Sequence, residues 1–384
     1  MRHHLNRRVM LTGLGTVSLG GVVARPQAAT LQSTYLAPVR ADPGRISRIT
    51  VCTRPFRAAG PRLEVEVIGD KRVVHNYGHG GAGWSLSWGS AALARDRALE
   101  GGTSRCAVIG CGIIGLTSAL KILRSGVPTT MYAAERAPFT RSVRATGVWS
   151  PDSRLAASDA IAPGFASLWE VMARQSMEDH RAFVGSPGYP VNVMDMYTLR
   201  AHADAQQAVG PYPSPGRIPF VSYAERVAGL RPIARPLSRS EHRFPVASAS
   251  VSARMTFDVT IYAEHLMDTF QREGGVIVTR RLNHPGELAD LPEPVIVNCT
   301  GFGARALFGD ISVVPIRGQI AWLPPQPEVD YGLIYNAVIM IPRSRGILVQ
   351  ATGASQMVGY GVDDENPDWS EAASAVGMLS TLFV

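Results

Sequence analysis

Gly110, Gly112 and Gly115 in "CAVIGCGIIGLTSAL" form a G-x-G-x-x-G pattern. An apolar run, Cys106 to Ile109, precedes it, and a helical pattern from Ile113 to Arg124 follows. In such a loop the first glycine permits a tight turn and the second lets the backbone approach a pyrophosphate. The third lets helix and strand pack closely, and the helix N-terminus faces the phosphate charge. Cys111 and Ile114 fall inside the same loop. Glu135 ends the next strand-like run, "TTMYAAER", 20 residues after Gly115, where a carboxylate accepts from ribose hydroxyls and disfavours a 2′-phosphate. The pattern predicts a bound dinucleotide, FAD or NAD, and does not choose between them.

A second stretch, "HNYGHGGAGWSLSWGSAALARD" from His75 to Asp96, repeats the device. Gly80, Gly81, Ala82 and Gly83 lead into a helical pattern that includes Ser85, so this loop also offers backbone N–H groups from a helix start. His79 within it is tempting as a base but reads as structural.

These loops need strands and helices to hold them. "ISRITVCTRPF" is strand-like up to its proline, "RLEVEV" alternates like a half-buried strand, and "VVHNY" follows a turn. Trp84 to Leu99 is helical, closed by Glu100-Gly101-Gly102. "YAEHLMDTFQREGGVIVTRRL" is a helix and a strand; "PVIVNCTGFGARAL" is a strand entering a turn. "GQIAWLP" and "VIMIPRSRGILVQAT" are sheet strands, and "DWSEAASAVGMLSTLFV" is a helix. The stretch from Ser150 to Phe244 is proline-rich and weakly periodic, read as irregular structure and helices over a substrate site. The expected fold class is α/β, with a Rossmann-type domain interleaved with a mixed-sheet domain.

Composition narrows the partners. Hydrophobic content of 46% and charged content of 18% fit a folded protein. The net charge of +7 is arginine, with Lys71 and Lys121 the only lysines. No basic run is interleaved with aromatics, so a nucleic-acid partner is not expected. Cys52, Cys106, Cys111 and Cys299 lack metal-ligand spacing and read as small buried hydrophobes; no metal site is expected. At the start, Arg7 and Arg8 precede an uncharged stretch from Val9 to Val23 and small residues at Ala28 and Ala29. That stretch is short of the roughly 20 residues a membrane span needs. It predicts a twin-arginine signal peptide over 1–29, hence export to the periplasm or beyond by the twin-arginine machinery, with no stable membrane insertion.

Several stretches resemble motifs of the D-amino acid oxidase family, which binds FAD: "TRPFRAAGPRLE", "HNYGHGGAGWSLSWG", "VIGCGIIGLTSAL", "YAAERAPFTRSVRATGVWSP", "VIVNCTG", "RGQI" and "LIYNAVIMIPR". The order departs from the family, in which the arginine motif and the G-H-G-G motif lie near the C-terminus. Here they occupy Thr53 to Gly89, ahead of the dinucleotide loop. The expectation is a circular permutation, with "EGGTS" (Glu100 to Ser104) sealing the family's termini. The Pro-, Arg- and Ala-rich stretch without clear periodicity reads as a linker, 30–47. On the basis of the resemblance, the FAD-binding domain takes 62–150 and 246–305, and the substrate domain takes 48–61, 151–245 and 306–384.

The resemblance also implies roles. Arg54 matches the arginine that pairs with a substrate carboxylate, a task suited to a planar fork. Tyr335 matches one active-site tyrosine; the position of the second, four residues on, is Ile339. The Gly80–Gly83 loop faces the flavin pyrimidine oxygens, and the Gly81 carbonyl accepts from the substrate amine. Arg136, Thr140, Arg141, Ser142, Gly147, Val148, Leu282 and Thr300 match family contacts to FAD. The implied activity is oxidation of a D-amino acid by hydride transfer from Cα to flavin N5. The products are an imino acid, then a 2-oxo acid and ammonia, with O2 giving H2O2. Another amine or electron acceptor, and binding of FAD and an amino acid without turnover, are the alternatives.

Overall fold

The computed structural model describes residues 36–201, 218–353 and 356–383, so the signal-peptide expectation for 1–29 lies outside the described residues. In chain order the first elements are β1 (Arg48–Phe56), β2 (Val65–Ile68), β3 (Lys71–His75), α1 (Gly83–Leu99), β4 (Cys106–Ile109), α2 (Ile113–Leu123) and β5 (Thr129–Ala133). Then come α3 (Phe165–Arg181), β6 (Val191–Arg200), β7 (Arg235–Leu237), β8 (Ser248–Phe257), α4 (Val259–Arg272), β9 (Val276–Thr279) and β10 (Val295–Asn298). The last are α5 (Ala304–Leu307), β11 (Val314–Leu323), β12 (Gly332–Tyr335), β13 (Val338–Arg343), β14 (Gly346–Ala351) and α6 (Trp369–Ser380).

Six strands make one sheet in the order β2-β3-β10-β4-β5-β9, parallel except for the β2–β3 hairpin. β4 (CAVI) and β10 (VIVN) are buried along their whole length, as short apolar runs in a parallel sheet covered on both faces must be. Val74, Val108 and Val297 face Leu86 of α1 and Leu116 and Leu120 of α2, while Val73, Ala107 and Ile296 pack with Leu288 and Leu291 on the other face. The half-buried strand expected at "RLEVEV" is instead an exposed edge, with Val67 74% accessible.

The second sheet runs β1-β11-β14-β13-β12-β6-β8-β7 and is antiparallel except for β12–β6. β1 continues through Pro55 to Phe56, and Pro55 stands opposite Pro315. A strand at the sheet edge tolerates the missing N–H. One face carries α6 with Val329, Tyr331 and Val349; the other carries Met194, Met196, Ile320, Ile339 and Ile341.

Three of the expected domain boundaries need correction. The described part of 30–47 is packed rather than linking: Val39 and Ala41 are buried under α6, and the Tyr331 hydroxyl donates to the Ala37 carbonyl at 2.6 Å. β8, placed with the FAD-binding segment 246–305, pairs with β6 along ten residues in the eight-stranded sheet. α3, placed with the substrate segment, packs on α1 over the six-stranded sheet through Trp169, Met172 and Ala173.

Candidate active site

The two sheets meet around a cavity of about 600 Å³. Both glycine loops open onto it. Gly110 has φ +105°, and a Cβ there would lie 2.6 Å from the Cys299 carbonyl oxygen. Gly112 ends the loop in extended backbone as α2 begins; the Ile113 N–H donates to Ser142 Oγ at 3.0 Å. Gly115 does not line the cavity. A Cβ there would strike the Gly110 carbonyl, so it serves the helix–strand packing that the third glycine permits. Cys111, Gly112, Ile113 and Ile114 line one end with Glu135, Thr140, Arg141, Ser142, Leu282 and Thr300.

At the other end lie His79, Gly80, Gly81 and Gly83 at the start of α1, with Arg54, Gly147, Val148, Ile334, Ile339, Gln350 and Thr352. Gly80 (φ +55°) and Gly81 pass so close to the backbone of Arg154 and Ser153 that side chains at either would collide with carbonyl oxygens. His79 Nε2 meets Ser90 Oγ at 2.7 Å, which donates to Asn76 Oδ1 at 2.5 Å. Burial drops the His79 pKa to about 3, so the ring is neutral, and its Nδ1 is buried without a partner.

Arg54 is a buried cation of the site. Among the described residues its guanidinium lies against Gly318 and donates to the Ile316 carbonyl at 3.4 Å, with no carboxylate paired to it. Burial lowers its pKa, because desolvation disfavours the charged form. Arg154, absent from the sequence expectations, lines the same cavity with its pKa lowered to about 9 by burial and by the Arg54 charge. Arg254 also lines it, with a pKa lowered by burial and by Arg231.

Besides Gly115, four more expected site residues lie off the cavity. Tyr335 faces the α6 side of its sheet, because side chains alternate along a strand and Ile334 takes the cavity side. Arg136 Nη2 turns to the Ile277 carbonyl at 3.0 Å and Thr279 Oγ1 at 2.9 Å, away from the cavity. Ala82 is fully buried in the core, and Ser85 Oγ accepts from the Ser150 N–H at 2.7 Å. Sequence reasoning missed Gln350, which stands opposite Ile339 in the β13–β14 register. It also missed Arg154, since an irregular loop carries no periodic signal.

The residues present fit a dinucleotide carrying an isoalloxazine. Two helix starts converge on one cavity, its glycines let the loops pack against neighbouring protein atoms where a Cβ would collide, and Thr140 Oγ1 and His79 Nδ1 are buried polar atoms without partners. Among the described residues no group of His, Cys, Asp or Glu could hold a metal, and no helix is long and apolar enough to cross a membrane.

The chain is similar to the D-amino-acid oxidase of Dictyostelium discoideum, 25% identical over 284 residues, covering 72% of this chain and 73% of that protein. It is similar to the D-amino-acid oxidase of Streptomyces coelicolor, 28% identical over 214 residues, and there it spans only 57% of the relative's length. A solved glycine oxidase from Bacillus cereus is 13% identical, with a TM-score of 0.49 over 73% of this chain and 78% of that one. The model of the FAD dependent oxidoreductase family, DAO, matches residues 105–384, and the chain therefore belongs to that family of FAD-dependent oxidoreductases.

Proposed function

We propose that the protein is an oxidase of D-amino acids. The observation that carries this reading is Arg54: a buried guanidinium without a carboxylate partner, in the same cavity as the His79–Gly83 loop. A substrate carboxylate supplies the missing charge through two parallel hydrogen bonds. Bound FAD would supply the two-electron acceptor for loss of Cα–H as hydride and formation of an imine, which water would hydrolyse to a 2-oxo acid and ammonia, with O2 reduced to H2O2. The chain's own part is to orient. Arg54 fixes the carboxylate, the Gly81 carbonyl accepts from the amine, and the apolar side chains of Ile334 and Ile339, which line the same cavity, exclude water. Neutral His79 holds the loop through Ser90 and needs no proton of its own.

Two further readings belong to this proposal. The arginine strand β1 and the loop before α1 precede β4, reached through residues 100–105, whereas the family match begins at residue 105; both support a circular permutation of the family chain. The Arg7–Arg8 pair before Val9–Val23 supports twin-arginine export, which fractionation of an Arg7→Lys, Arg8→Lys variant tests.

The enzyme test is spectroscopic. Purified yellow protein mixed without oxygen with a D-amino acid panel is expected to bleach, and to release peroxide when air is admitted. Bleaching by L-amino acids alone, or by none, overturns the reading.

A further inference from the structure

We infer that the substrate carries a second carboxylate and that Arg154 is the residue that receives it, so that the preferred substrates are dicarboxylic amino acids. This rests on the amino-acid reading above and extends it to the side chain. Arg154 has φ +46°, a left-handed backbone that non-glycine residues seldom adopt and that persists where surrounding structure fixes it. Here Gln356 fixes it twice: the Arg154 N–H donates to Gln356 Oε1 at 2.9 Å, and Arg154 Nε donates to the Gln356 carbonyl at 2.9 Å. No hydrogen bond engages either Nη atom among the described residues, and Arg154 lines the cavity that Arg54 also lines. No carboxylate pairs with either arginine among the described residues. The two arginines line one cavity, and burial together with the Arg54 charge lowers the Arg154 pKa.

Two neighbouring guanidiniums in a protein wall are costly unless anions occupy both. One monocarboxylate satisfies Arg54 and leaves Arg154 uncompensated. A dicarboxylate satisfies both with one molecule. Arg154 also borders a second, outer pocket with Ser150, Ser153, Ser222 and Thr352, whose hydroxyls suit a carboxylate that extends past Cα. Asp152 lies there too, but its carboxylate is taken by Arg231 at 3.2 Å and by the Tyr223 N–H at 3.2 Å.

Steady-state rates of the FAD-loaded chain with D-glutamate and D-aspartate, against D-alanine and D-valine, give the first measurement. The dicarboxylates are expected to show kcat/KM at least about tenfold higher, since a charge-assisted pair adds to the Arg54 contact. Arg154→Gln is expected to lower the ratio of dicarboxylate to monocarboxylate kcat/KM by about 30-fold or more, and Arg154→Lys, which keeps a point charge, to restore part of it. Preference for the neutral amino acids, or an unchanged ratio in Arg154→Gln, overturns the inference. A separate binding measurement protects it from failure of the oxidase reading. Glutarate and succinate, which carry no amine, are expected to perturb the flavin absorbance at lower concentration than butyrate, and to lose that advantage in Arg154→Gln. If they bind no better than butyrate, the second carboxylate site is rejected whatever the protein oxidises.

Discussion

Ile334 and Tyr335 are neighbours in β12, yet their side chains lie on opposite faces of the eight-stranded sheet. Ile334 stands across from Ile339 in the β12–β13 pair, and both border the cavity. Tyr335 is buried with Val338, Val349 and Tyr331 on the face that α6 covers. The β12–β13 wall of the cavity is therefore apolar where the family motif suggested hydroxyls, and no tyrosine of β12 or β13 lines the cavity with Arg54.

The first prediction concerns that tyrosine. Tyr335→Phe is expected to leave kcat/KM within about twofold, because the hydroxyl is not in the site. Tyr335→Ala is expected to lower the unfolding free energy by about 3–5 kcal/mol, the usual cost of emptying a buried aromatic site. Urea unfolding beside steady-state rates makes the check. A tenfold loss of kcat/KM in Tyr335→Phe, at unchanged stability, would place the hydroxyl back at the substrate.

The contrast shows what the sequence could carry. The parallel sheet was legible because β4 and β10 are short, nearly continuous apolar runs, and the glycine loop between β4 and α2 announces itself by spacing. β6 was not legible: "VNVMDMYTLR" mixes Asp195 and Asn192 with methionines because only part of it is covered. Nor was the face of Tyr335. A motif match transfers a residue type, whereas the face depends on the β12–β13 register, set by a turn with Asn336 at φ +50° and Ala337. Arg154 was hidden for a different reason, since Gln356, which fixes it, lies 202 residues later in the chain.

The glycine loop gives a second prediction. A Cβ at Gly112 would sit 2.8 Å from Ser142 Oγ, the atom that accepts the Ile113 N–H. Gly112→Val would displace Ser142 and fill the approach to the start of α2. The variant is expected to purify without visible flavin absorbance, whereas Ser142→Ala, which removes one hydrogen bond worth about 0.5–1.5 kcal/mol, is expected to stay yellow. A yellow, active Gly112→Val would place the cofactor elsewhere.

Two buried histidines set a pH dependence of stability. Burial lowers the pKa of His79 to about 3 and that of His180 to about 4, against 6.5 for a free imidazole. Both are depressed, so as pH falls below 6.5 the unfolded chain takes up protons that the folded chain refuses. Stability is fully present above 6.5 and is lost as pH falls toward about 4, with a slope approaching about 1.4 kcal/mol per pH unit for each histidine. Urea midpoints from pH 7 to pH 4.5 should decline accordingly. His180→Gln, which keeps a donor for the Trp84 carbonyl, should flatten part of that decline. An unchanged slope in the variant would remove His180 from the account.

The last prediction separates what Arg54 does for catalysis from what it does for the fold. Truncating one partner of a buried, hydrogen-bonded charge pair costs about 2–5 kcal/mol, or about 30- to 4,000-fold in rate terms. Arg54→Leu is therefore expected to lose kcat/KM by that order on the best amino acid, with FAD retained. Its stability is expected to hold or rise, because the free protein then buries no unpaired cation. Gly318 offers a control that leaves the charge in place. A Cβ there would lie 2.5 Å from Arg54 Nη1, so Gly318→Ala must push the guanidinium aside. It is expected to reproduce a substantial part of the kinetic loss, since small errors in substrate alignment are costly. Kinetics on both variants, with thermal unfolding of Arg54→Leu, decide the matter. Normal efficiency in Arg54→Leu would reject the carboxylate contact, and a loss confined to Arg54→Leu would show that charge matters there more than position.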